Sequence, residues 1–173
     1  VYFKLQTFVF MPVFGLNQGA LPVMGYNYGA AKKDRLMQTY KEALKIALLV
    51  MALGLLLFQA LPKQLLLMFD ASADMLAIGI PALRIISLCF LPAAFGIITG
   101  TLFQGTGHGV YSLLCSVIRQ LIGILPLAFI LIRIGGVTLS WASFPLAELL
   151  GLAYSALMLQ RLYKNEISKL GVQ

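Results

Sequence analysis

The sequence predicts an all-α integral membrane fold of five transmembrane helices. Three stretches carry that prediction. Leu5–Ala31 runs 27 residues without a Lys, Arg, Asp or Glu, Ile46–Pro62 runs 17, and Ile85–Ile118 runs 34. A helix rises about 1.5 Å per residue, so about 20 apolar residues cross the hydrocarbon core. Composition agrees, with 60% hydrophobic residues, 11% charged residues and a mean hydropathy of +0.91. Soluble chains carry about 25% charged residues, and half of that leaves too little polar surface to stay in water.

The helices fall at about residues 5–28, 43–61, 74–104, 111–132 and 137–162, followed by a tail over about 163–173. Each break has a local cause. Gly25–Ala31 (GYNYGAA) ends the first helix, and Pro62-Lys63 ends the second. Asp70-Ala71-Ser72 offers side-chain oxygens to the orphan N–H groups opening the third. Gly105-Thr106-Gly107-His108-Gly109 separates the third from the fourth, and Gly135-Gly136 the fourth from the fifth. Pro12, Pro22, Pro92, Pro126 and Pro145 fall inside helices, where neighbouring helices must satisfy the freed carbonyls. No internal repeat is visible within the five helices.

The formal charge of +7 sits in loops rather than on a nucleic-acid-binding face. Lys32, Lys33, Arg35, Lys41 and Lys45 follow the first helix, and Arg161, Lys164 and Lys169 lie at the C-terminal end. No aromatic–basic surface for nucleic acid is laid out. The more basic side of a membrane protein faces the cytoplasm. That bias predicts a cytoplasmic C-terminus and an outside N-terminus. The chain opens at Val1 with no signal peptide, so an upstream helix is expected. Cys89 and Cys115 lie in apolar segments and read as small core residues, not as a disulfide or metal pair.

Gly15–Arg35 reads GLNQGALPVMGYNYGAAKKDR. This resembles the multidrug and toxic compound extrusion (MATE) family, in which a helix of each lobe ends in a Pro–Gly–Tyr–Asn–x–Gly–Ala stretch before a basic loop. Leu83-Arg84-Ile85, Phe103-Gln104-Gly105-Thr106-Gly107, Arg119-Gln120 and Pro145-Leu146-Ala147-Glu148 extend the resemblance along nearly the whole chain. It implies two six-helix lobes in the full transporter, with this chain resembling helices eight to twelve of the C-terminal lobe. It also implies alternating access, export of cationic or aromatic drugs, and exchange for Na⁺ or H⁺. The text is most similar to bacterial members, which places the protein in a plasma membrane. Family carboxylates for the coupling ion lie in the N-terminal lobe or on helices seven and ten. The stretch after Asp74 that resembles helix ten has no Asp or Glu, so the coupling site is expected outside this chain.

Arg119 and Glu148 are the leading candidates for chemistry, because charges at bilayer depth are expensive. Counted from the turn near Gly135, they reach within about 5 Å of the same depth. They read either as a structural ion pair or as part of a transport cycle. Asn17, Gln18 and Gln104 offer amides either to substrate or to neighbouring helices. Pro22, Gly25, Asn27, Gly29 and Ala30 form the structural motif, with Asn27 at the helix end. Gly15, Gly19, Ala20, Gly25, Gly29 and Ala30 make a small-residue face, read as tight packing or as a gate. Met11, Met24, Met51, Phe14, Phe95 and Phe103 are candidate drug contacts. Trp141 reads as an interfacial anchor, and His108 stands alone with no assigned role.

No phosphate loop, catalytic triad or metal motif appears, so no enzyme and no cofactor is expected. The expected function is drug export by cation antiport. Its expected partners are membrane lipid, the missing N-terminal lobe and small-molecule drugs. A lipid-linked oligosaccharide flippase of the same wider superfamily and a non-transporting membrane scaffold are the alternatives.

Overall fold

A computed structural model describes residues 2–170. Val1 and the last three residues of the expected tail, 171–173, lie outside the described residues. Those described are helical almost throughout: α1 (Tyr2–Gly29), α2 (Lys33–Ala60), α3 (Pro62–Leu67), α4 (Ala73–Ser87), α5 (Phe90–Gly105), α6 (Gly109–Val117), α7 (Leu125–Ser140) and α8 (Ser143–Asn165). A π-helical segment, Ile118–Ile124, joins α6 to α7, and a 3-10 turn, Ile167–Lys169, follows α8.

Among the described residues, three helices are long and apolar enough to cross a membrane: Lys4–Gly29, Lys33–Ala60 and the continuous run Gly109–Ser140. The pair α4 and α5, bent by 48°, makes a fourth if counted as one span. The fifth expected span corresponds to α8. Its 23 residues are long enough, but Glu148, Tyr154, Gln160 and Arg161 dilute its apolar character.

Several boundaries differ from expectation for physical reasons. The second helix starts at Lys33 rather than near residue 43, so much of the basic loop is helical. The third expected helix is broken at Leu88-Cys89. Pro92 has no N–H to give Leu88, and its ring crowds that carbonyl. The Ser87 hydroxyl donates to Arg84 O at 2.9 Å, and Gln59 Nε2 donates to Arg84 O and Ser87 Oγ at 2.8 and 3.0 Å. Pro92 and Pro145 therefore sit in first turns, where a missing N–H costs nothing. Pro12 and Pro22 remain inside α1.

Ser72 caps α4 as expected, its hydroxyl accepting from Met75 N at 3.3 Å. Gly135-Gly136 kinks α7 with φ +68° at Gly136, a conformation open to glycine. The turn into α8 comes later, at Trp141-Ala142.

The core lies where α1, α2 and α5 meet. Phe90 packs edge-on against Phe10 and Phe58, with centroids 5.4 and 5.1 Å apart. A Cβ at Gly54 would overlap Val9, which lets α2 approach α1. The Tyr40 hydroxyl meets Thr99 Oγ1 at 2.9 Å, satisfying both buried groups. Outside this core, Leu113, Leu121, Leu125 and Phe129 are exposed along the Gly109–Ser140 run, as a lipid-facing helix requires.

A candidate substrate cleft with a charged pair

Four helical faces converge on one side of the bundle. Phe10, Phe14 and Asn17 recur at helical spacing on α1. Ile97, Gly100 and Gln104 come from α5, and Ser112, Cys115, Ser116, Arg119 and Gln120 from α6 and the π segment. Phe144 and Glu148, four residues apart, come from α8. They line two adjoining hollows of about 420 and 210 Å³ that share Phe14, Ile97 and Arg119.

Arg119 Nη1 lies 3.2 Å from Glu148 Oε1, with the side chains 24% and 14% exposed. Two features of the backbone bring them together. Gly123 lies against α8, where an added Cβ would come 2.7 Å from Ala147 Cβ. At Gly151 an added Cβ would stand 3.7 Å from the Arg119 stem, so a larger side chain would push the arginine away. The π segment itself has a cause. Pro126 cannot accommodate the carbonyl four residues before it, and a wider turn relieves the clash. The Leu125 N–H accordingly donates to Gln120 O, five residues back.

The other expected site residues divide. Asn17 and Gln104 face the cleft, but both already hold partners on neighbouring elements. Asn17 Oδ1 meets the Thr101 hydroxyl, and Gln104 Nε2 donates to Ser112 Oγ at 3.0 Å. Gln18 is exposed and lines neither hollow. Phe14 reaches the cleft, whereas Met24, Met51 and Phe103 are core side chains. Met11 is exposed and Phe95 half-buried, and neither lines these hollows.

Asn27 is buried and donates to Val23 O at 2.8 Å, a helix-end role. Gly25 and Gly105 mark the close approach of α1 and α5: a Cβ at Gly105 would stand 3.1 Å from Met24 Cβ and 3.3 Å from Gly25 N. A Cβ added at Gly15, Gly19 or Gly29 would meet no neighbouring element within 4 Å, and Ala30 is exposed. The small-residue face therefore packs within this bundle only at Ala20 and Gly25, because the rest of it turns outward. Pro22 is exposed on that outward side.

His108 is not alone. Its Nε2 lies 2.9 Å from Glu166 Oε1, and the Tyr28 hydroxyl donates to Glu166 Oε2 at 2.6 Å. The ring stacks on Tyr111 at 5.3 Å. The end of α1, the Gly105–Gly109 loop and the stretch after α8 are thus tied together. Ile167 beside this clasp is fully buried, so the tail packs back onto the bundle. Trp141 stacks on Phe144 at 6.3 Å in the turn before α8. Cys89 and Cys115 are both free thiols. Cys89 is buried beside the cleft, and Cys115 Sγ meets Ser155 Oγ at 3.1 Å.

Membrane-length helices with a charged pair set in an open cleft define the class: part of an all-helical membrane protein. Residues 1–130 match the MatE family model, and the chain belongs to that family. Among solved structures, it is similar to the MATE multidrug transporter DinF-BH, which was solved with a ligand bound. The two share 30% identity over 95% of this chain and 36% of that one, with a TM-score of 0.85. A MOP superfamily transporter from Pyrococcus furiosus shares the fold at 22% identity, 98% and 38% coverage and a TM-score of 0.87. An inward-facing MATE family transporter does so at 22% identity, 94% and 39% coverage and a TM-score of 0.81. The chain thus spans well under half the length of these structures. No curated protein matches it.

Proposed function

We propose that this chain is the C-terminal lobe of a multidrug exporter that exchanges cationic or aromatic drugs for Na⁺ or H⁺ by alternating access. The observation that carries the reading is the cleft in which Arg119 and Glu148 sit among Phe10, Phe14 and Phe144. Aromatic faces suit flat drug cations, and a carboxylate in a low-dielectric wall attracts positive charge. The second lobe would close the cleft from the open side. The fold matches inward-facing and outward-facing MATE structures with TM-scores of 0.81 and 0.82, which supports a lobe that rocks as one body. Drug and ion must then bind the two states unequally, since only differential affinity shifts such an equilibrium.

The coupling ion binds outside this chain, in the other lobe. The stretch after Asp74 that resembles a coupling helix of the family carries no Asp or Glu, which supports that reading. Arg119 is the one cation lining the two hollows, which disfavours phosphate-rich lipid-linked sugars as cargo. The protein works in a bacterial plasma membrane with its C-terminal end in the cytoplasm.

Ethidium efflux from cells expressing the complete reading frame, with and without a sodium gradient, tests the reading. The control is the 173-residue chain alone. Gradient-dependent efflux from the longer chain only is the expected result. Absence of efflux under sodium and proton gradients alike would leave the flippase or the scaffold.

A further inference from the structure

Away from the transport cleft, a second concavity lies where α1 passes into α2. It measures about 500 Å³ and is lined by Ala31, Lys32, Lys33, Asp34, Arg35 and Leu170. Three cations face one carboxylate there, and none of the four forms an ion pair among the described residues. Both adjoining helices are membrane-length, and this cleft lies at the basic turn between them, on the side that the charge bias assigns to the cytoplasm.

An apolar groove of about 290 Å³ adjoins it, lined by Met37 of α2 and by Leu159, Gln160, Tyr163 and Lys164 of α8. Lys33 joins the two hollows, its Nζ lying 5.5 Å from the centre of the Tyr163 ring. Lys32 stands similarly over Tyr26 at 5.6 Å, and both tyrosines are exposed, as aromatic residues at a membrane interface are. Nearby, α5 packs against both α2 and α8.

A basic cleft linked through Lys33 to an apolar groove has the charge pattern of one amphiphile. We propose that this end of the bundle binds an anionic phospholipid, its phosphate among Lys32, Lys33 and Arg35 and an acyl chain in the α2–α8 groove. The basic residues supply the attraction for the negative head group. The groove distinguishes a lipid from a free phosphate, which has nothing to place there. The site is independent of the transport cleft and stands whether or not the protein exports drugs.

Native mass spectrometry of the full-length protein in detergent tests this. It would be titrated with phosphatidylglycerol, with phosphatidylcholine of the same chains, and with inorganic phosphate. Phosphatidylglycerol should bind about tenfold more tightly than phosphatidylcholine. The double variant K33Q/R35Q changes a half-buried and an exposed side chain outside the core, so it should fold normally and lose at least about fivefold in phosphatidylglycerol affinity. Millimolar inorganic phosphate should fail to displace the lipid. Equal binding of the two lipids, or an undiminished affinity in K33Q/R35Q, would overturn the proposal. Displacement by inorganic phosphate would overturn it too, leaving a site for free anions.

Discussion

Neutralising one member of the Arg119–Glu148 pair should destabilise the protein far more than neutralising both. At 3.2 Å and an effective dielectric of about 20, the attraction between the two charges is about 5 kcal/mol. Much of that only offsets the desolvation of two side chains that are 24% and 14% exposed. Removing one partner of a buried pair costs about 3–5 kcal/mol, because the other charge stays buried and alone. The residual exposure here places Arg119→Gln and Glu148→Gln just below that range, at about 2–3 kcal/mol each. The double glutamine variant keeps the volume and can hydrogen-bond across the gap, so it should lose less than either single. The assay is reversible unfolding of the full-length protein in detergent, read as a double-mutant cycle. A coupling of at least about 2 kcal/mol, some thirtyfold or more in equilibrium constant, is expected. The swapped variant, Arg119→Glu with Glu148→Arg, should recover stability lost in each single. Additivity within about 0.5 kcal/mol, or a swap no better than the singles, would refute the pairing.

Gly123→Val should cost about 1–3 kcal/mol by driving α8 from the π segment, since the Cβ alone meets Ala147 at 2.7 Å; an unchanged melting temperature would contradict that. Gly105→Ala should destabilise, its Cβ pressing on Met24 and on the backbone N of Gly25. Gly15→Ala, with open space around it, should instead gain about 0.5–1 kcal/mol from helix propensity. Glu166→Ala releases both Tyr28 and His108, so trypsin should cut faster at Arg161 and Lys164, by roughly the fivefold that about 1 kcal/mol of lost hydrogen bonding allows. Pro126→Ala removes the cause of the π segment, and drug efflux should fall by more than the accompanying loss of stability explains.

Much of this was legible in the residues, and the rest fails for identifiable reasons. Long uncharged runs specify membrane helices because charge and water are excluded together. Similar distances from Gly135 placed Arg119 and Glu148 near one depth, which is what consecutive antiparallel helices need in order to bring them to 3.2 Å. The break at Leu88-Cys89 was written in Pro92, but a proline near a first turn and one inside a helix look alike until the boundary is known. The π segment was hidden for the same reason, behind Pro126. His108 read as isolated because its partners, Tyr28 and Glu166, are 80 and 58 residues away in sequence (108 − 28 and 166 − 108) and meet only through tertiary packing. Met24, Met51 and Phe103 read as cavity residues in the sequence because composition does not tell a core face from a cleft face. The helical spacing of Phe10, Phe14 and Asn17 holds the direction of that cleft.

The most direct test of the central claim is transport by the purified full-length protein in liposomes, with ethidium as the drug and either a sodium or a proton gradient imposed. The account predicts ethidium movement against the direction of ion flow, driven by one of the two gradients and reduced at least about tenfold by Glu148→Gln. Ethidium that stays in place under both gradients, in vesicles shown to hold folded protein, would contradict it.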